Sequence, residues 1–240
     1  MQKTVPTQSG ASQDKEEGHR LSIDSAIETI ATLLTPLSVT WGFCGGWSID
    51  LFVNSTTRSH KDVDVAILRT DQRLAFDFLR QQGWQLSQAI NGKLLPFQQD
   101  EFLRLPVHTI WCRNVNSSPD FLELLLNESE AAQFLFRRER SIHCPLPEAF
   151  VSSPSGLPIL APEIVLLYKS NDLSSVGNRL DFHSALPLLN EEKRHWLRQA
   201  LSLLSPEHEW LKDLRGAMIP TTTMHRKTPS SDNYGNGNDN

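Results

Sequence analysis

Hydrophobic positions along the chain alternate between helical spacing and the short apolar runs typical of strands. In the N-terminal part, a helical pattern begins after Ser22, which can cap the helix, and ends before Pro36. A second helical pattern is capped by Asp71 and closed by Gly83. Apolar runs between and after these helices predict strands at residues 40–44, 63–68, 84–86, 102–105, 107–112 and 121–126.

The hydrophobic pattern changes near residue 144. Residues 144–162 hold five prolines and little periodicity, which predicts a linker or an irregular crossing. Beyond them, helical spacing predicts four helices, at residues 162–169, 179–189, 191–204 and 207–214. Strands mixed with helices, followed by helices alone, indicate an α+β fold with a helical C-terminal part.

The patterning also divides the chain into segments. Residues 1–20 and 219–240 are polar with little to bury, so both are expected to be disordered tails. Between them, we predict a mixed domain over residues 21–143, then a linker and helical subdomain over residues 144–218.

Composition narrows the function classes. The 240-residue chain carries a formal net charge of -5 and a pI near 5.9, which disfavour a nucleic-acid-binding surface spread over the protein. Three widely spaced cysteines fit reduced thiols in the cytoplasm rather than a disulfide framework or zinc site. No apolar run is long enough for a membrane span, and no N-terminal signal sequence is recognisable.

Three carboxylates are the candidate chemistry. Asp62 and Asp64 alternate along an apolar run, so a strand would project both from one face, where a cation would relieve their repulsion. Glu123 is the single acid within Leu122–Leu126, and a sheet that brought it beside the aspartates would complete a three-carboxylate site. Solvated strand positions would explain the same acids without any metal.

A glycine pair precedes these acids. Gly45 and Gly46 open a short predicted helix, whose N-terminal N–H groups could hold a phosphate, although a plain turn is the alternative. The polar loop at residues 54–61 then carries Arg58 and His60. A metal beside a phosphate is the arrangement that nucleotidyl or phosphoryl transfer requires.

This order of motifs resembles the nucleotidyltransferase superfamily that includes DNA polymerase beta. Gly45–Phe52 and Thr57–Ala66 look most like the group of aminoglycoside 2''-adenylyltransferases and lincosamide nucleotidyltransferases, and the similarity extends over residues 33–214. The resemblance implies the fold of that superfamily, a mixed sheet flanked by helices and followed by a helical part.

The resemblance also implies roles for individual residues. Asp62, Asp64 and Glu123 would be catalytic and would bind one or two Mg²⁺ ions, with Glu123 as a metal ligand or as the base. Five residues would contact the nucleotide, which is ATP or another NTP: Gly45, Gly46, Arg58, His60 and Lys169.

The implied reaction moves a nucleotidyl group, AMP in the simplest case, to a hydroxyl of a small molecule such as an aminoglycoside- or lincosamide-like antibiotic. One departure keeps a second hypothesis open. Relatives often carry Lys-Asp where this chain has Gly177-Asn178, ahead of Asp181. A nucleotide-binding regulatory module with weakened catalysis on the same fold is therefore the alternative.

Overall fold

Helices and strands are interleaved along most of the chain in this computed structural model, which describes residues 24–216. The helices of the described residues are α1 (Ser25–Leu34), α2 (Gly45–Val53), α3 (Gln72–Gln81), α4 (Leu146–Ala149), α5 (Pro162–Lys169), α6 (Val176–Ala185), α7 (Glu191–Leu204) and α8 (Trp210–Gly216). Their strands are β1 (Trp41–Phe43), β2 (Asp64–Leu68), β3 (Gln85–Ile90), β4 (Lys93–Leu95), β5 (Thr109–Arg113), β6 (Phe121–Glu130), β7 (Gln133–Leu135), β8 (His143–Pro145), β9 (Phe150–Ser152) and β10 (Pro158–Leu160).

The strands form one mixed sheet. Its order is β4-β3-β5-β6-β2-β1-β10-β9, and β7 pairs with the far end of β6 and with β8. Strand β2 lies parallel to β6, and β1 lies parallel to β10, whereas the other pairs are antiparallel. The parallel pairing of β2 with β6 fixes which residues of these two strands stand side by side.

Two hydrophobic cores lie against this sheet. One contains side chains of α1 and α3 with inward residues of β2, β5 and β6. The other contains side chains of α2, α5, α6, α7 and α8 together with Ala66 and Leu160. The Ser48 hydroxyl of α2 donates to the Leu160 carbonyl of β10 at 2.7 Å and joins the glycine helix to the C-terminal part.

The mixed α+β fold predicted from the patterning is confirmed, and helices α5 and α7 have the predicted bounds. The predicted strand at residues 102–105 is wrong, because side chains rather than a neighbouring strand satisfy this backbone. The Leu103 N–H donates to Gln72 Oε1 at 2.7 Å, and the Leu103 carbonyl accepts from Arg69 Nη1 at 3.0 Å. Strands β4 and β7 were not predicted.

The predicted linker at residues 144–162 is also wrong. This segment supplies β9 and β10, and Ile159 of β10 is the partner of Phe43 in β1. Its prolines lie at strand ends, in a turn or in the first turn of a helix, where a missing N–H is tolerated, so they hid two strands of the sheet from the sequence pattern. Asp24 caps α1, whereas the predicted cap Ser22 and both predicted tails lie outside the described residues.

Two further properties concern the described part of the chain. Residues 24–216 contain no helix that is both long and apolar enough to cross a membrane. Cys44, Cys112 and Cys144 are buried free thiols, as expected from their spacing.

Candidate active site

Asp64 and Glu123 are direct neighbours in the sheet. Asp64 begins β2 and is the registered partner of Glu123 in β6, and the Glu123 N–H donates to the Val63 carbonyl at 2.9 Å. Residues in register on parallel strands project to the same face. The sequence alone did not give this pairing, which brings two of the three predicted acids together.

Asp62 has a different position. It lies in a bend two residues before β2 and is exposed, so the predicted alternation along one continuous strand does not describe it. Its charge still acts on the other two acids, since it raises the pKa of both Asp64 and Glu123. Among residues 24–216, no three His, Cys, Asp or Glu side chains are grouped closely enough to surround one metal ion.

Gly45 brings the start of α2 against Asp64. Its φ is +62°, in the left-handed region, and a Cβ at this position would overlap the Asp64 carboxylate. The Cys44 N–H also donates to the Asp64 carbonyl at 2.9 Å. Because of this glycine, the backbone at the helix N-terminus reaches Asp64. Its predicted contact with a phosphate stays a prediction.

Gly46 likewise allows close packing, here of α2 against the basic loop, residues 54–61. A Cβ on Gly46 would overlap the ends of Arg58 and His60. The His60 ring stacks at a tilt on Trp47, with centroids 4.3 Å apart, and the Trp47 indole N–H donates to the Asp62 carbonyl at 3.1 Å. The loop therefore packs directly on the glycine helix.

Two buried carboxylates anchor Arg58 and His60 of this loop. Asp50 accepts from the Thr57 N–H at 3.1 Å, and its Oδ2 lies 2.6 Å from His60 Nε2. Asp181 accepts from Arg58 Nε at 2.8 Å and from Arg58 Nη2 at 2.9 Å. Both aspartates are fully buried.

Lys169 shares the second anchor. Its Nζ lies 2.8 Å from Asp181 Oδ2, at the C-terminal end of α5. Two cations therefore meet one buried carboxylate, which explains how this charge is tolerated inside the protein. The positive charge of Lys169 also partly opposes the net rise in the pKa of Asp64, so Lys169 lies near the acidic pair.

Burial and repulsion perturb the acids. Burial, followed by the charges of Asp62 and Glu123, raises the pKa of Asp64 to about 7. Burial and the Asp62 charge also raise the pKa of Glu123, and a hydrogen bond from the Trp111 side chain partly opposes this. A pair of crowded acids with raised pKa values is typical of a functional site.

A cavity of about 440 Å³ reaches Gly45, the residue that packs against Asp64, although neither acid of the pair lines its walls. Its walls include Gly45 of α2, Lys169 of α5, Asn178 of α6 and the adjacent Arg137 and Arg138. This volume lies within the range of small-molecule sites. A larger cavity of about 710 Å³ lies elsewhere, beside Cys144 and Glu163.

Gly177 and Asn178, which stand where relatives often carry Lys-Asp, contact the cations of the site. A Cβ on Gly177 would lie 3.3 Å from Arg58 Nε. The Asn178 side-chain amide donates to the Lys169 carbonyl at 3.1 Å, and Lys169 Nζ lies 3.5 Å from Asn178 Oδ1. Gly177 and Asn178 therefore pack around the two cations that Asp181 holds.

The structure thus brings Gly45, Asp64 and Glu123 together, with Lys169 nearby. Gly46 packs instead against Arg58 and His60, which turn their polar ends to Asp181 and Asp50. Their contacts with a nucleotide stay predictions. Sequence reasoning did not foresee Asp181 as an anchor. Helix α6 holds several other polar residues, so nothing in its pattern singled out Asp181.

A glycine-opened helix beside in-register acids on a mixed sheet defines the class as nucleotidyltransferase-like. The family described as aminoglycoside-2''-adenylyltransferase matches residues 26–117 of this chain. The match confirms the resemblance seen in the motifs and the predicted enzyme class, a nucleotidyltransferase. The matched region includes Gly45, Gly46, Asp62 and Asp64, but it ends before Glu123.

Among solved structures, one with a TM-score above 0.5 shows the same fold. The chain is similar to the solution structure of the antibiotic-resistance factor ANT(2'')-Ia, with 13% identity and a TM-score of 0.52, over 75% of this chain and 90% of that one. A crystal structure of the lincosamide antibiotic adenylyltransferase LnuA with lincomycin bound has 16% identity and a TM-score of 0.47, over 66% and 93%. No curated protein sequence matches this chain.

Proposed function

We propose that this protein is a Mg²⁺-dependent nucleotidyltransferase that moves AMP from ATP to a hydroxyl of a small molecule. The observation that carries the proposal is the pairing of Asp64 with Glu123 directly beside Gly45. It joins two oxygen ligands for a cation to a backbone that can approach a phosphate.

The acidic pair has the chemistry of a Mg²⁺ site. Mg²⁺ prefers oxygen ligands and is commonly bound by one or two carboxylates plus substrate phosphates. The raised pKa of Asp64, about 7, reflects repulsion that a bound cation would relieve. Asp62, in its exposed bend, would have to turn toward the pair to become a third ligand. A bound metal would neutralise charge that develops on the transferred phosphate.

The surrounding side chains can perform the remaining tasks. The acceptor oxygen would bond to the α-phosphorus, the bond to the bridging oxygen would break, and pyrophosphate would leave. Glu123 could take the proton of the acceptor hydroxyl, since its raised pKa makes it a stronger base than an ordinary carboxylate. Lys169 and the N–H groups at Gly45 would stabilise the phosphate charge.

The antibiotic acceptor is proposed from the relatives. The matching family is described as an aminoglycoside 2''-adenylyltransferase, so a hydroxyl of an aminoglycoside-like sugar is the first acceptor to test, and a lincosamide the second. The half-exposed Trp111, which is the registered partner of Glu123 in β5, offers an aromatic face beside the proposed base.

A transfer assay tests the proposal. The protein would be incubated with ATP labelled at the α-phosphate, Mg²⁺ and a panel of aminoglycosides and lincosamides. We expect label on an acceptor with the wild type and none with Asp64→Asn, while Asp213→Asn on the surface of α8 transfers normally. Transfer by Asp64→Asn at the wild-type rate would overturn the assignment.

The regulatory alternative makes a different prediction for the same protein. A module without catalysis would bind Mg·ATP in calorimetry yet transfer label to no acceptor. The hydrogen bond from Asn178 to the Lys169 carbonyl favours the enzyme, because it helps to hold this cation near Asp64.

A further inference from the structure

Two arginines without acidic partners line the cavity beside the acidic pair. Arg137 is half-buried and Arg138 is exposed. Within residues 24–216, neither arginine has a carboxylate within ion-pair distance. By contrast, Arg140, two positions after Arg138, pairs with Glu130 at 2.8 Å. Two adjacent guanidinium groups without counter-charges form a strong potential site for an anion.

Tyr168 holds the two guanidinium groups in place. The guanidinium carbons of Arg137 and Arg138 lie 5.7 and 5.4 Å from the centre of its ring. Arg138 Nη1 also donates to the Tyr168 carbonyl at 3.1 Å. Although the residue as a whole is exposed, desolvation of its guanidinium group and then the neighbouring Arg137 charge lower the pKa of Arg138. A bound anion would oppose the repulsion between the two arginines.

The cavity runs from these arginines to Gly45, the glycine that packs against Asp64. Gly45 at the N-terminus of the nine-residue helix α2 and Lys169 at the end of α5 line it as well. The other titratable residues on its walls are Cys44, His108, Tyr168 and Asp172. Asp172 is exposed and accepts hydrogen bonds from the Ser174 side chain and backbone.

We infer that this cavity binds the β- and γ-phosphates of the nucleotide, and that Arg137 and Arg138 hold the pyrophosphate that leaves. The inference rests on the proposed function and assigns its leaving group to named residues. A polycationic acceptor would be repelled here. The acceptor would therefore approach Glu123 from the side of Trp111.

Binding experiments on the full chain test this assignment. Calorimetry with Mg²⁺ would measure dissociation constants for ATP, pyrophosphate and AMP in the wild type, Arg137→Ala, Arg138→Ala and the double variant. Loss of a hydrogen bond to a charged group corresponds to a change of about 10- to 100-fold. We expect a loss of that size for ATP and pyrophosphate and almost none for AMP.

Arg140→Ala is the matched control, because Arg140 lies in the same segment but pairs with Glu130 on the surface. It should bind all three ligands as the wild type does. Arg138→Lys should recover part of the lost pyrophosphate affinity, since it keeps the charge but not the forked geometry. Circular dichroism of each variant would verify that folding is intact.

The outcomes separate this inference from the proposed function. Wild-type ATP binding that both arginine variants retain would overturn the inference and leave the function standing, as would an equal loss of AMP affinity. Pyrophosphate binding that depends on the arginines, without label transfer to any acceptor, would support the inference while the function fails. A wild type that binds neither ATP nor pyrophosphate would overturn both.

Discussion

Asp64 and Glu123 are in-register neighbours on parallel strands, and the pKa of Asp64 is raised to about 7 by burial and by the two nearby acids. This crowding has a consequence for stability. A carboxyl whose pKa is higher in the folded protein than in the unfolded chain binds more protons when folded, so its contribution favours folding at low pH and is lost as the pH rises.

For Asp64 the relevant window lies between its ordinary pKa of 3.8 and about 7. We expect the metal-free protein to lose about 2–4 kcal/mol of stability from this residue across that window. Asp64→Asn should therefore be more stable than the wild type at pH 8 and less pH-dependent, although it transfers no label. Urea unfolding at several pH values measures both effects, with Asp213→Asn as the control. Equal pH slopes for Asp64→Asn and the wild type would contradict the electrostatic argument.

Magnesium affinity should follow the same titration. A carboxylate must be deprotonated to bind a cation, so Mg²⁺ competes with the proton on Asp64. We expect the affinity measured by calorimetry to increase as the pH is raised through about 7, and saturating Mg²⁺ to raise the melting temperature more at pH 8 than at pH 6. Constant affinity between pH 5.5 and 8.5 would show that Asp64 is not a ligand.

The local elements were largely predictable, because each depends on short-range patterning. The bounds of α5 and α7 follow from helical spacing that tertiary packing did not alter. The register of Asp64 with Glu123 was out of reach, since β2 and β6 are distant in sequence and only tertiary packing aligns them. Strands β9 and β10 were missed because prolines and short length obscure their period.

The candidate site was predictable to a similar degree. The fixed order of glycines and acids, together with the resemblance to a known superfamily, predicted that these residues share one site. The partners of Arg58 and Lys169 could not be deduced, because nothing in a periodic pattern states which cation a buried acid meets. Asp181 acquired its importance only from the way α6 packs beside the basic loop.

The close approach of Gly45 to Asp64 predicts a severe effect of one methyl group. Gly45→Ala would introduce both the strain of a positive φ and an overlap with the Asp64 carboxylate. Gly92→Ala is the matched control, since Gly92 also has a positive φ, +73°, but a Cβ there meets nothing within 4 Å. We expect transfer activity to fall at least about 100-fold for Gly45→Ala, because a displacement of about 1 Å costs that much.

Gly92→Ala should cost only about 1 kcal/mol of stability and leave transfer unchanged. Thermal unfolding and the labelled-ATP assay on both variants provide the comparison. Similar activities for the two variants would mean that the glycine turn does not need its contact with Asp64.

Asp181 gives the largest expected loss of stability. Asp181 is fully buried and pairs with Arg58 and Lys169. Removing its charge leaves these two partly buried cations without a counter-charge. Asp181→Asn should therefore cost about 3–5 kcal/mol and raise the KM for ATP, whereas exposed Asp213→Asn should change neither quantity. Arg58→Met in the Asp181→Asn background should cost less than the sum of the single substitutions, because it removes one of the two unpaired cations. Additive losses in urea unfolding would instead show that the two residues do not act as a pair.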